Sequence, residues 1–291
     1  YDGRYDASSN LPNTGAGLTF NDDGSKIYTI DFGGGRSVIA FDVSTAFDVL
    51  AGTSHSGEES FLPVRVNPDG FAFGDSGNKL YTTGFNTSDD TVFTFQLSSA
   101  YDLNSAVIIE SEAYNTNSED TRPQDIAFSS DGSKMFVAGQ DSNSVYAYNL
   151  STDWDVSSAS YASENADLSA QIGTGIGTGF TDVHFTSDGL LLFSLSRIDG
   201  DRIIHKYELG TAWDLSTISY SGEYYRFNDN QAVSSSFELD DSGTEMYISE
   251  VDAVSLYRIS SPYSLSTSTV AKAFEINSSG PTSGGGTNIF L

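Results

Sequence analysis

The sequence predicts an all-β protein, a β-propeller of five blades with four antiparallel strands in each. Three observations predict it. A motif built on Asp-Gly or Ser-Gly returns five times at steps of 53, 55, 57 and 54 residues. A second motif, centred on an aromatic residue, follows each copy of the first. The runs between them are short and rich in Val, Ile, Phe, Tyr and Thr, with no long apolar stripe at helical spacing.

The first motif reads "FNDDGSKIYTID" from Phe20, "FGDSGNKLYTTG" from Phe73, "FSSDGSKMFVAG" from Phe128, "FTSDGLLLFSLS" from Phe185 and "LDDSGTEMYISE" from Leu239. Its glycines are Gly24, Gly77, Gly132, Gly189 and Gly243. Gly tolerates positive φ, so such a pair between two β-rich runs predicts a hairpin turn. A ring of cation-binding turns is the competing reading. The repetition favours the turn, because every blade must make one.

In the third repeat the strands follow in order. Strand A is "DIAF", the Asp131-Gly132 turn leads to strand B, "KMFVAG", and the loop "DSNS" leads to strand C, "VYAYNLS". Alternation of Val145, Ala147 and Asn149 with Tyr146, Tyr148 and Leu150 predicts a half-buried strand. The second motif, "STDWDVS", joins C to a looser strand D. Its counterparts place Phe47, Tyr101, Trp154, Trp213 and Tyr263 in register. These rings either cover the blade edge or stack on sugars. Four-stranded units repeated at this period read as propeller blades, whose stacking buries both faces.

Here a family resemblance enters. The F-x-x-DG-x-K-x-Y pattern resembles the A–B turn of WD-repeat and related propellers. Paired with LSTAWDLS-type segments, it resembles a propeller repeat of marine bacterial and phage surface and virion proteins. The resemblance spans essentially the whole chain. It implies a non-catalytic module, extracellular or on a virion surface, that binds a glycan, a cell-surface receptor or neighbouring subunits. The sialidase Asp-box has a different spacing, so its chemistry is not carried over.

Composition narrows the partners. Among 291 residues there are 13 Lys and Arg against 40 Asp and Glu, a formal charge of −27. That surface argues against nucleic acid and anionic membranes and favours cations. There is no cysteine, hence no disulfide or thiol chemistry. No apolar run is long enough to insert in a membrane. The chain starts at Tyr1 rather than Met, which suggests a mature, trimmed or excerpted sequence.

The chain reads as one propeller domain over 1–291, with repeats at about 1–53, 54–107, 108–160, 161–219 and 220–265. Residues 266–291 form an extra half-repeat. The opening "YDGRYDASSNLPNTGAGLTF" matches "YSGEYYRFNDNQAVSSSFEL" from Tyr220, so it supplies a spare strand D. Either that strand caps or extends a blade of a closed five-bladed ring, or the chain is part of a six- or seven-bladed or longer array. A third outcome pairs the spare strand with another copy, giving a homo-oligomer or a purely structural assembly subunit.

Binding is expected on the face where the loops differ. Its B–C loops carry Asp31, Arg36, Asn86, Asp89, Asp90, Asp141, Asn143, Arg197, Asp199, Asp201, Arg202, Glu250 and Asp252. Hard cations want several carboxylate oxygens, so Asp89 with Asp90, and Asp199 with Asp201, are the candidates for Ca2+. No other cofactor is indicated. The D–A segment Asp167 to Thr181 reads as a surface loop. At the inner strands, Gly17, Gly70, Asp125, Asp182 and Ser236 align, and two places on stand Thr19, Ala72, Ala127, His184 and Glu238. Asp125, Asp182 and Glu238 therefore offer an alternative function. Paired carboxylates at the channel mouth are the machinery of a glycoside hydrolase or lyase. The competing reading makes them strand-start hydrogen bonds.

Overall fold

A computed structural model describes residues 3–6, 15–31, 37–61, 68–84, 90–172, 179–198, 201–227, 236–250 and 253–267. It shows five antiparallel blades around one axis. After β1 (Gly3–Asp6), blade 1 comprises β2 (Gly15–Phe20), β3 (Lys26–Asp31), β4 (Ser37–Val43) and β5 (Thr53–Phe61). Blade 2 holds β6 (Pro68–Gly74), β7 (Lys79–Gly84) and β8 (Thr91–Leu97), then β9 (Ala106–Ile108) and β10 (Tyr114–Asn115). Blade 3 holds β11 (Pro123–Phe128), β12 (Lys134–Gly139), β13 (Ser144–Leu150) and β14 (Ala159–Asp167). Blade 4 holds β15 (Gly179–Phe185), β16 (Leu191–Ile198), β17 (Asp201–Leu209) and β18 (Ile218–Phe227). Blade 5 holds β19 (Ser236–Leu239), β20 (Glu245–Glu250) and β21 (Ala253–Arg258). The innermost strands β2, β6, β11, β15 and β19 touch in that order, and β19 returns to β2.

The ring closes through its first strand. β1 pairs antiparallel with β21, from Gly3 opposite Leu256 to Asp6 opposite Ala253, and so becomes the outer strand of blade 5. The spare strand D thus completes the last blade within the same molecule.

Five apolar cores lie between neighbouring blades rather than within them. The core between blades 3 and 4, for example, joins Phe136, Val145 and Ala147 to Phe180, Val183 and Leu192. This placement corrects the half-buried reading of strand C. Val145, Ala147 and Tyr148 of β13 are buried on both faces, because each blade is covered on both sides. Alternation survives in the outer strands β14 and β18, which meet solvent.

The two repeating motifs prove to be one contact. The turn glycines have φ between 66° and 79°. A Cβ on any of them would overlap the ring of Phe47, Tyr101, Trp154, Trp213 or Tyr263 of the same blade. Those aromatics are themselves left-handed, with φ between 57° and 64°. Each donates its backbone N–H to the carbonyl of its glycine, from Phe47 to Gly24 (2.9 Å) through Tyr263 to Gly243 (2.8 Å). Five rings pressed on five glycines hold the A–B and C–D turns together, which requires glycine twice over. The acidic neighbour closes the turn. Asp131 Oδ1 accepts from Ser133 N (3.0 Å) and from the hydroxyls of Ser129 and Ser133 (2.7 and 2.8 Å). These bonds, led by the Ser133 backbone, lower its pKa to about 2.

Two elements depart from the repeat. The outer strand of blade 2 is split, β9 pairing with one end of β8 and β10 with the other. The segment Asp167 to Thr181 is not all surface loop. It contains a helical turn, α1 (Ser169–Ile172), and Leu168 and Ile172 are buried in the core beside Phe180. Residues 173–178 of that segment lie outside the described residues.

Candidate active site in the propeller axis

Successive side chains of a strand alternate, so residues i and i+2 of the inner strands both face the axis. Two levels of side chains result. Gly17, Gly70, Asp125, Asp182 and Ser236 form one, and Thr19, Ala72, Ala127, His184 and Glu238 the next. All of these except Gly70 and Ser236 line a cavity of about 280 Å3, together with Asp22, Phe73 and Tyr101.

The first level is structural. Asp125 and Asp182 are each only 5% exposed. Asp125 Oδ2 accepts from Val183 N of the next blade (3.0 Å), and Asp182 Oδ2 accepts from Phe237 N of the blade after that (2.6 Å). Each carboxylate pins its strand to its neighbour. Gly70 makes room, since a Cβ there would overlap Asp125. Burial, and then the charge of Asp182, push Asp125 well above the usual carboxylate range. The expected trio of Asp125, Asp182 and Glu238 therefore does not act as a set of open carboxyls. Two of the three are spent on the backbone, and a side-chain hydrogen bond joins them to each other.

The second level is different. Thr19, Ala72 and Ala127 are small, and the two remaining positions form a pair. His184 Nδ1 lies 3.5 Å from Glu238 Oε2, with side-chain exposures of 17% and 23%. Burial alone would lower the pKa of His184. The charge and hydrogen bond of Glu238 outweigh it, Asp182 and Asp241 add to them, and the value ends above the ordinary one. Burial also raises Glu238, against the pull of His184. The His184 ring lies beside Phe193 and Phe237, at centroid distances of 6.5 and 6.0 Å. With Nδ1 turned to the carboxylate, Nε2 is left for another group. Sequence alignment placed His184 and Glu238 at one position of adjacent blades. That was the signal for the pair, and the acid-only reading passed over it.

The loop-face candidates do not converge on a site among the described residues. Asp31 and Glu250 end strands, opposite Ser37 and Ala253. Asp90 is buried. Its carbonyl accepts from Thr116 N (2.7 Å) and its Oδ2 from Asn117 Nδ2 (2.8 Å), which anchors the split strand. Asn143 is left-handed at φ 51° and buried, and its carbonyl accepts from Leu168 N (2.9 Å). Asp141 accepts the Thr121 hydroxyl. Asp201 pairs with Arg226 at 2.7 Å. Arg197 and Arg202 stand opposite each other, and burial followed by that like charge lowers Arg202 to about 10. Arg36, Asn86, Asp89, Asp199 and Asp252 lie outside the described residues. Of the calcium pairs, Asp90 and Asp201 are thus already engaged by Asn117 and Arg226. No three metal-ligating side chains cluster among the described residues. None of the described helices is long and apolar enough to cross a membrane.

No family model and no curated protein matches the chain. Solved structures do. A periplasmic gluconolactonase of Pseudomonas aeruginosa is 12% identical, with a TM-score of 0.51 over 89% of this chain and 84% of that one. A putative 6-phosphogluconolactonase of Bacteroides uniformis is 16% identical, with a TM-score of 0.48 over 83% of this chain. The chain spans 65% of the length of that protein. The Cps50 (Swd1) propeller domain of Myceliophteria thermophila matches at 12% identity with a TM-score of 0.40. At such identities the likeness establishes the propeller fold. It also overturns the expectation of a non-catalytic chain. A protein of similar fold carries the name of a lactonase, so the architecture gives no ground for excluding catalysis.

Proposed function

We propose that the axial cavity is a hydrolytic site for an uncharged or cationic ester or lactone. The observation that carries this is the His184–Glu238 pair, open to a cavity whose other facing positions are small. Glu238 holds the imidazole through Nδ1 and stabilises the imidazolium that forms. Nε2 takes a proton from water, and the resulting hydroxide adds to the substrate carbonyl. The C–O bond then breaks, and the departing alkoxide takes the proton back from Nε2. The cavity is at the small end of ligand pockets, roughly 300–1,000 Å3. Asp22 and Glu238 in its wall, and a molecular charge of −27, disfavour phosphorylated or other anionic substrates. A small sugar-acid lactone is the substrate class suggested by the name of the Pseudomonas aeruginosa gluconolactonase, which shares the fold.

The test is hydrolysis of glucono-δ-lactone and p-nitrophenyl acetate at neutral pH. Replacing the base, His184→Asn, is expected to reduce kcat/KM by about 10^3-fold, within the usual range for a general base. Equal rates for wild type and the variant would end this reading.

A further inference from the structure

We propose that the seam between blades 5 and 1 binds a primary alkylammonium group beside the axial cavity. The protein contains its own comparison, because the same seam recurs around the ring. Between blades 2 and 3, Phe128 and Trp154 stack near Tyr81. The Tyr81 hydroxyl donates to the Trp154 carbonyl (2.6 Å). Lys79 Nζ donates to the same carbonyl (3.0 Å) and to Glu112 (2.8 Å). Between blades 3 and 4, Lys134 Nζ likewise donates to the Trp213 carbonyl (3.0 Å) and lies 3.4 Å from Glu164. At two seams, then, an ammonium group sits on the carbonyl of the turn aromatic with an acid beside it.

The seam between blades 5 and 1 repeats the framework and changes two residues. Phe20, Phe47 and Tyr247 form the aromatic trio, and the Tyr247 hydroxyl donates to the Phe47 carbonyl (2.6 Å). Phe47 stands where the other two seams have Trp, and Glu245 stands where they have Lys. A groove of about 550 Å3 lies there, and its walls contain no lysine or arginine. Glu245 accepts from Tyr247 (2.7 Å) and lies 3.5 Å from Arg258 Nε, whose side chain is 61% exposed. Asp22 accepts the Tyr101 hydroxyl (2.5 Å). Asp241 is also in the wall, its backbone carbonyl accepting the Tyr263 hydroxyl. The carbonyl, the acids and the aromatic faces that accommodate lysine elsewhere are all present, while the chain places an acid at the position of the cation. A free alkylammonium fits that arrangement by charge, by hydrogen bonding and by contact with ring faces.

The groove shares Phe20, Asp22 and Glu238 with the axial cavity. An amine held there lies next to the His184–Glu238 pair. On the hydrolytic reading above, it marks the substrate as an amine-bearing ester or lactone.

The probe is n-butylammonium chloride, the end of a lysine side chain as a free molecule, titrated against the whole protein by NMR. Wild type is expected to bind it at least tenfold more tightly than 1-butanol, and butyrate not at all. Phe47→Trp rebuilds the seam of blades 2 and 3, and its backbone suits Trp, since φ is 61° at Phe47 and 63° at Trp154. Glu245→Lys supplies the internal cation. Each should weaken binding at least tenfold, while Glu208→Lys, the same charge change on blade 4, should not. Unchanged binding in both seam variants, or butanol binding as well as the ammonium, overturns the proposal. His184→Asn separates the two readings. Loss of hydrolysis with no butylammonium binding in any form removes only the seam site. Binding that persists in a protein whose hydrolysis does not depend on His184 removes only the catalytic reading.

Discussion

Asp125–Asp182 and His184–Glu238 are both pairs of ionisable side chains on neighbouring blades, one level apart along the same axis. Their fates differ because of what reaches them. The backbone N–H groups of Val183 and Phe237 take the aspartates, and burial pushes the pKa of Asp125 well up. Among the described residues no backbone N–H takes Glu238, which meets the imidazole of His184 instead and remains partly open. An acid in a propeller axis is thus not catalytic by position. What matters is whether the next blade has already used its oxygens.

Three measurements probe that contrast. The largest expected effect is on stability. Asp182→Ala leaves the Phe237 N–H buried without an acceptor and removes the partner of Asp125. It should cost about 3 kcal/mol in urea unfolding. A loss well under 1 kcal/mol would show that the inner level does not bind the blades together. The second concerns the open pair. His184 must be neutral to accept a proton, and its pKa is raised above 6.5. The pH profile of kcat/KM should therefore fall about tenfold per unit on the acid side, with its midpoint above pH 6.5. A midpoint below 6.5 would mean that Glu238 does not hold the imidazolium.

The third and smallest effect separates the pairs by pH. The folded pKa of Asp125 is raised, so between the unfolded carboxylate value near pH 4 and that raised value the native state holds a proton that the unfolded chain has lost. The resulting stability is full below about pH 4 and declines as pH rises through the folded value. Asp125→Asn imitates the protonated acid. It should change stability by less than about 1 kcal/mol at pH 5 and should flatten the decline at higher pH. An unaltered decline would place its origin elsewhere, in Asp182, Glu238 or His184, whose pKa values are also raised.

The fold was legible because repetition removes ambiguity. One Asp-Gly could be many things, but five, each followed by an aromatic, describe a structural unit. The reason for the coincidence, a ring lying on a glycine, needed coordinates, since neither residue predicts the contact alone. The candidate site was less legible because it resides in departures from the repeat. The pair at His184 and Glu238 stood in the aligned column, beside Thr19, Ala72 and Ala127. Glu245, like Leu191, broke a column that otherwise holds Lys26, Lys79 and Lys134. Such breaks gain meaning only when the structure shows what the consensus residue does at the other seams. The helical turn at Ser169–Ile172 escaped notice for another reason: a Gly-rich tail masked the two apolar residues that bury it.

The closure of the ring by Gly3–Asp6 has a bearing on biosynthesis. These residues leave the ribosome before the five blades that follow them, yet their seat on β21 is made only after four complete blades and part of the fifth have been translated. Until then the leading strand has nowhere to go. A nascent chain stalled before β21 would therefore present a free strand and an unshut ring at once, the two ingredients for pairing with another nascent copy.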